Sequence, residues 1–292
     1  MDKKNKIPDG KDFRWTPIRE VNSPADISFY FSLLRGSKSR EYTVKYGDVI
    51  KRDYDNNPNL NVLNCNNGVV TGSNIFADVL VNRIAEKDAL RVANESDLEQ
   101  IYFHHAMNLK PIYAMTGLML VSEDRPNRRL AQKLSHELRK RFHMKLEELP
   151  GPVFIPASHL KTIKYDSQYG LAFKFSEEAT QPEPITSLKR KSLLKRMSDL
   201  LLGKNTSFMS RSINGTNGFP SEMHVDDGDR DLYLPRSGLT AVRFDDGLIF
   251  ADVEDLAESD ENGRIIIVKD LNQKRKIAKE PYICDSHSGY SG

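Results

Sequence analysis

The residues of this chain that could hold a metal are His224, Asp226 and His287, two imidazoles and one carboxylate. The bland alternative is a surface histidine in an acidic loop. Asp227-x-Asp229-x-Asp231 begins like a calcium loop, but Leu232 stands where the turn glycine belongs and Gly238 where the bidentate glutamate belongs. Cys65, between asparagines, is a thiol that one of the histidines would have to activate. His104 and His105 are adjacent, so on a helix they diverge by about 100° and do not form a pair.

The His-x-Asp…His pattern resembles the iron-binding triad of Fe(II)/2-oxoglutarate oxygenases, which would make His224, Asp226 and His287 the ligands. That family continues into a strand with a basic residue for the cosubstrate carboxylate, whereas Ser288 to Gly292 contain none. Gly36-Ser37 with Asp48, Asp53 and Asp55 has residue types of a nucleotidyltransferase. That chemistry wants two carboxylates alternating on a strand to hold Mg²⁺, and only Asp53-Tyr54-Asp55 alternates, in a turn-like setting. The expectation is therefore no cofactor and a chain that is not an enzyme, with the metal oxygenase as the alternative.

A second kind of chemistry is phosphate contact. From Pro126 to about His143, Leu130, Leu134, Leu138 and Phe142 recur every fourth residue, while Arg129, Lys133, His136, Lys140 and His143 follow a spacing of four, three, four and three. At about 100° per residue the two stripes lie on opposite sides of a helix, one packing and one forming a cationic ridge. Ser187 to Leu202 repeats the design, with Leu193, Leu194, Met197, Leu200 and Leu201 on one side and Lys189, Lys191, Lys195 and Arg196 on the other; Arg190 sits on the apolar side. Most charged helix faces are only solvated surfaces. Two such ridges with few acids between them point to a polyanion, read through its backbone because no aromatic cluster adjoins either ridge in sequence.

Charge is unevenly divided along the chain. Residues 205–292 carry 10 basic against 16 acidic residues, and residues 1–204 carry 33 against 25, so the net charge of +2 conceals a basic part followed by an acidic one. Between Glu222 and Glu261 thirteen acids meet only Arg230, Arg236 and Arg243. Asp226, Asp227, Asp229 and Asp231 are the candidate contacts for a basic protein partner or for self-association. At 292 residues and 38% hydrophobic the chain can bury a core. Its two cysteines lack zinc spacing, and no stretch approaches the ~20 apolar residues of a membrane span. A cytoplasmic protein is expected, with nuclear entry if the source is eukaryotic or infects a eukaryote.

The elements that would position these groups make an α+β protein. A polar tail covers residues 1–12 and an α+β domain residues 13–176, followed by a linker with the second basic helix at 177–204 and a β-rich acidic domain at 205–292. Ser23 and Pro24 predict a helix running to Gly36, and the alternation of Tyr42, Val44 and Tyr46 predicts a strand between Arg40 and Ile50. A helix follows from Ser73 to about Lys87, and Ser96-x-x-Glu99 reads as a capping box for the next. Lys110 to Val121, Pro152 to Tyr165 and Tyr169 to Phe175 read as strands, and residues 203–220 as a long loop. Asp245-Asp246-Gly247 between LTAVRF and LIFADV signals a hairpin, and Asn262-Gly263 a turn before RIIIVKDL. The expected function is a binding or assembly protein, such as a viral or phage accessory or structural protein. Its basic helix faces would meet nucleic acid or another polyanion, and its acidic part a protein.

Overall fold

The computed structural model describes residues 16–17, 29–103, 107–182, 184, 207–210, 223–226, 232–233, 235–245 and 248–270. In chain order these form β1 (Thr16–Pro17), β2 (Phe29–Leu33), α1 (Ser37–Asp53), β3 (Asn64–Asn66), β4 (Val69–Thr71), α2 (Ile75–Ala85), β5 (Arg91–Val92), α3 (Glu95–Phe103), β6 (Tyr113–Leu120) and α4 (Arg128–Phe142). There follow β7 (Val153–Pro156), β8 (Leu160–Lys164), β9 (Leu171–Phe175), β10 (Ser207–Ser210), β11 (Met223–Asp226), β12 (Leu232–Tyr233), β13 (Leu239–Asp245), β14 (Leu248–Val253) and β15 (Ile266–Asp270). The fold is α+β, and the described strands pair antiparallel except β12 with β14.

The central sheet has the order β12-β14-β13-β6-β7, and a second sheet the order β1-β2-β15-β5. Every residue of β6 is buried, because it lies mid-sheet with packed layers on both faces. One face carries Met115, Leu118 and Leu120 into a core shared with α1, α2 and α4. The other carries Ala114 and Met119 into a core with Phe31 of β2 and Ile266 and Val268 of β15. A register shift opposite Val242 and Arg243 places Thr116 as the extra residue of a bulge, which moves the even positions of β6 from one face to the other. Gly117 follows it because a Cβ there would meet the Ile155 carbonyl oxygen at 2.3 Å and the Phe154 ring at 2.8 Å.

The strands after residue 205 do not stand apart from those before residue 176. β13 pairs along its whole length with β6, and β15 lies between β2 and β5. The stretch expected as a loop at 203–220 contains β10, which pairs with β11.

Two local expectations are reversed. Within the stretch expected as a helix up to Gly36, Phe29 to Leu34 is not helical: Phe29–Leu33 forms β2, since pairing with β15 satisfies its backbone and buries Phe31, while the expected helix start at Ser23 and Pro24 lies outside the described residues. Arg40 to Ile50 is not a strand but lies within α1, where Tyr42, Tyr46 and Ile50, spaced four apart, form a buried stripe and Val44 is 58% exposed. Elsewhere the type is as expected and the detail differs. α2 is capped by Asn74, whose side chain accepts the Ala77 amide at 2.9 Å. The box before α3 uses Asn94 and Asp97 in place of Ser96 and Glu99: each side chain accepts the other's backbone amide, at 3.1 and 2.8 Å.

Candidate functional site

Helix α4 has no glycine or proline inside it and places Leu130, Ala131, Leu134 and Leu138 in the core, packed on β9. Phe142 meets Phe175 edge-on, with ring centroids 5.1 Å apart. Its last turn carries Arg139, Lys140 and Arg141, which suit the negative end of the helix dipole, and Glu137 is its one acid. The opposite face is open: Arg128, Arg129, His136, Lys140 and His143 are exposed and Lys133 is half-buried. The expected row of Arg129, Lys133, His136 and Lys140 is therefore one continuous surface stripe.

The cations of this helix divide by what they touch. Arg141 turns back to the carbonyl oxygens of Ser176, Glu177 and Ala179, fastening the start of the expected connector to the helix. Arg139 lies between Glu123 and Glu147, at 3.9 and 3.8 Å. Arg129 reaches Asp166 at 3.2 Å, with side chains 65% and 96% exposed, which leaves the pair dominated by water. Lys133 lies over the ring of Tyr165, 5.0 Å from its centroid. Arg125, Arg128 and Lys140 form no ion pair among the described residues.

The start of α4 is held by Asn127, which sits in the left-handed region at φ 58°, a conformation asparagine tolerates better than most residues. Its amide nitrogen donates to the carbonyls of Leu239 (2.8 Å) and Glu254 (2.7 Å). Its oxygen accepts from Gln168 (3.0 Å) and from the Tyr169 hydroxyl (3.1 Å). The Tyr169 hydroxyl in turn accepts the Leu256 amide at 3.2 Å. One side chain thus joins the helix start, the turn between β8 and β9, strand β13 and the segment after β14. Around it, Ser237 donates to the Arg125 carbonyl at 2.6 Å, and the Leu239 amide donates to the Pro126 carbonyl at 3.0 Å. Gly238 is required beside this loop: its φ is 72°, and a Cβ would meet the Pro126 carbonyl oxygen at 2.4 Å.

This junction floors an open cleft of about 1150 Å³ between the Arg125–Leu130 segment and the Ser167–Tyr169 turn. Arg125, Arg128 and Arg129 line one side, Glu254 and Asp255 another. Glu254 and Asp255 offset the arginines at the cleft, whereas beyond it the face of α4 from Arg128 towards Lys140 is predominantly basic.

Other candidates separate. Lys189, Lys191, Lys195 and Arg196, the second ridge, lie outside the described residues, as do Asp227, Asp229, Asp231, His287, His104, His105 and Cys284. His224 and Asp226 lie on β11 opposite Met209 and Ser207, two positions apart on one strand. Among the described residues no group of three or more His, Cys, Asp or Glu could hold a metal ion. Cys65 is a free thiol 3.3 Å from the Ser39 hydroxyl, at a second cleft of about 1030 Å³. Gly36-Ser37 opens α1 while Asp53 closes it; seventeen residues span about 25 Å, so the nucleotidyltransferase arrangement does not form. No described helix is long and apolar enough to cross a membrane.

Three contributors escaped the sequence reading: Asn127 at the junction, Arg128 beside the ridge, and Tyr165 next to Lys133. Pro126-Asn127 is a visible turn signal, but nothing local announces partners more than a hundred residues away. Tyr165 is a single aromatic and not part of a cluster, and it stands beside the ridge because chain reversal between β8 and β9 brings it there. In comparisons with known proteins, no family model matches the chain, and no curated protein or solved structure matches it significantly.

Proposed function

We propose that this protein binds nucleic acid or a similar polyanion along the exposed face of α4, and that it acts as a binding or assembly component without catalysing a reaction. One observation carries the reading: Arg128, Arg129, Lys133, His136 and Lys140 form an outward stripe, and only Glu137 on the helix opposes them. A chain of phosphates laid on such a stripe releases its condensed counterions, which makes the association strong at low salt and weak at high salt. The acidic part of the chain, including Asp226, is the complementary surface for a basic protein partner or a second copy.

The experiment is a titration of labelled RNA and DNA with wild-type protein and with the triple variant Arg129→Glu, Lys133→Glu and Lys140→Glu. Wild-type affinity falls steeply with salt, by roughly 0.9 log units per log unit of salt for each duplex phosphate neutralised. The variant loses binding and keeps its melting temperature to within a few degrees, since Arg129 and Lys140 reach into water and Lys133 gives up only its contact with the Tyr165 ring. Binding that ignores salt, or a wild-type protein inert at low salt, rejects the proposal.

A further inference from the structure

Tyr165 and Val44 are the exposed large hydrophobic residues among those described, and Tyr165 alone of the two stands on the basic stripe. It follows β8 directly, 38% exposed, in a turn that is internally fixed: its amide donates to the Gly170 carbonyl at 3.1 Å, and Ser167 donates to the Leu171 carbonyl at 2.6 Å. Lys133 covers part of the ring, and the neighbouring Asp166 holds Arg129. Lys164, on the other side in sequence, is 50% exposed and pairs with Asp55 at 2.6 Å. The phenol hydroxyl makes no hydrogen bond among the described residues. A ring more than a third exposed, on a fixed turn with Lys133 against it and Arg129 held by the next residue, keeps part of its surface open to a further partner.

We infer that this face takes single-stranded nucleic acid in preference to duplex, with one unpaired base stacked on Tyr165 and the flanking phosphates on Arg129, Lys133 and Lys140. The inference rests on the polyanion reading above and narrows it. A phosphate track alone serves duplex and single strand alike, because both present a charged backbone. An aromatic side chain within the track discriminates: paired bases are stacked inside a duplex and out of its reach, whereas an unpaired base offers its π face. Stacking of this kind tolerates sequence, which fits a site with no base-reading array beside the ring.

The test compares a labelled 20-nucleotide oligo(U) or oligo(dT) with a duplex of equal length, by anisotropy at low salt, for wild type, Tyr165→Ala and Tyr165→Trp. In wild type the single strand binds more tightly. Tyr165→Ala lowers the ratio of single-strand to duplex affinity by about tenfold, the order expected for removing one stacked base. In Tyr165→Trp the added fluorescence, taken as the difference from wild type, is quenched by the single strand and not by the duplex. Should Tyr165→Ala keep the wild-type ratio while the triple glutamate variant abolishes binding, the stacking inference falls and the phosphate track stands. If wild type retains neither nucleic acid at low salt, both fall.

Discussion

Helices α2 and α4 are built on opposite plans. Every residue of α2 except Arg83 is buried, including two polar residues that face no water, Asp78 and Asn82. Asp78 receives the Ser73 hydroxyl at 3.0 and 2.9 Å. Asn82 donates to Glu86 at 2.7 Å and accepts the Val92 amide at 2.8 Å. α4 buries one stripe and leaves the other to water. Polar chemistry inside α2 is therefore occupied with holding the fold, and on α4 the groups comparably engaged are Ser135, which donates to Glu123 at 2.5 Å, and Arg141 on its three carbonyls. Polarity in this protein serves architecture where it is buried and satisfied, and on the proposed reading it serves binding where it is exposed.

The largest effect that separates the helices is on stability. Asn82→Ala removes two hydrogen bonds and leaves the Val92 amide buried without an acceptor, so it should cost about 3 kcal/mol. Asn127→Ala ranks next, because it unties four segments at a partly solvated site. It should lower the melting temperature by several degrees and weaken polyanion binding by displacing Arg128 and Arg129. If Asn82→Ala melts like wild type, the interior of α2 does not depend on its polar bonds and the contrast is broken.

Acid and base titration sharpens the comparison through two buried groups whose effects oppose. Burial holds the Asp78 carboxyl well above the usual carboxylate range, against the smaller opposing effect of the Ser73 hydrogen bond. Its folded state prefers the proton, so its contribution is complete below the unfolded pKa near 4 and is lost as pH rises towards the folded value. His159 behaves in the reverse sense. Burial, then the nearby Arg91 and Arg141, push its pKa from 6.5 down to about 4. Its contribution is complete above 6.5 and is lost as pH falls to about 4, by about 1.4 kcal/mol for each unit of depression. Between these values the two slopes partly cancel in the wild type. Denaturant melts across pH 4–7 should show Asp78→Asn losing stability on acidification more steeply than wild type, and His159→Gln gaining it. Parallel curves for all three proteins would mean that neither group is desolvated as described.

How far the sequence speaks for itself depends on the range of the interaction. The stripe of Leu130, Leu134 and Leu138 and the Asp-Gly hairpin between β13 and β14 are legible because their causes lie within a few residues. Tyr42, Val44 and Tyr46 misled because the alternation passed through Val44, the one of the three that faces water. β2 was unreadable from its own residues, since its partner β15 lies more than two hundred positions away. The bulge at Thr116 is hidden in a strand buried on both faces, where no polar residue marks the outer side. At the site the ridge was readable, while its aromatic neighbour and its asparagine junction were not, because both are contacts between distant segments.

The smallest expected effect tests the same contrast from the outer face of α4. Arg129 and Asp166 make a visible ion pair, and a strong one would make Arg129 a structural tie like Arg141 instead of a free phosphate contact. Their exposure argues otherwise: water screens both charges, and fixing two solvent-facing side chains costs entropy that offsets most of the attraction. A double-mutant cycle with Arg129→Gln and Asp166→Asn should give a coupling under about 0.5 kcal/mol. Asp166→Asn alone should strengthen polyanion binding slightly, since it removes an anion from the track and frees the guanidinium. A coupling above about 1 kcal/mol together with unchanged binding would place Arg129 with the architecture, and the ridge would then have to begin at Lys133.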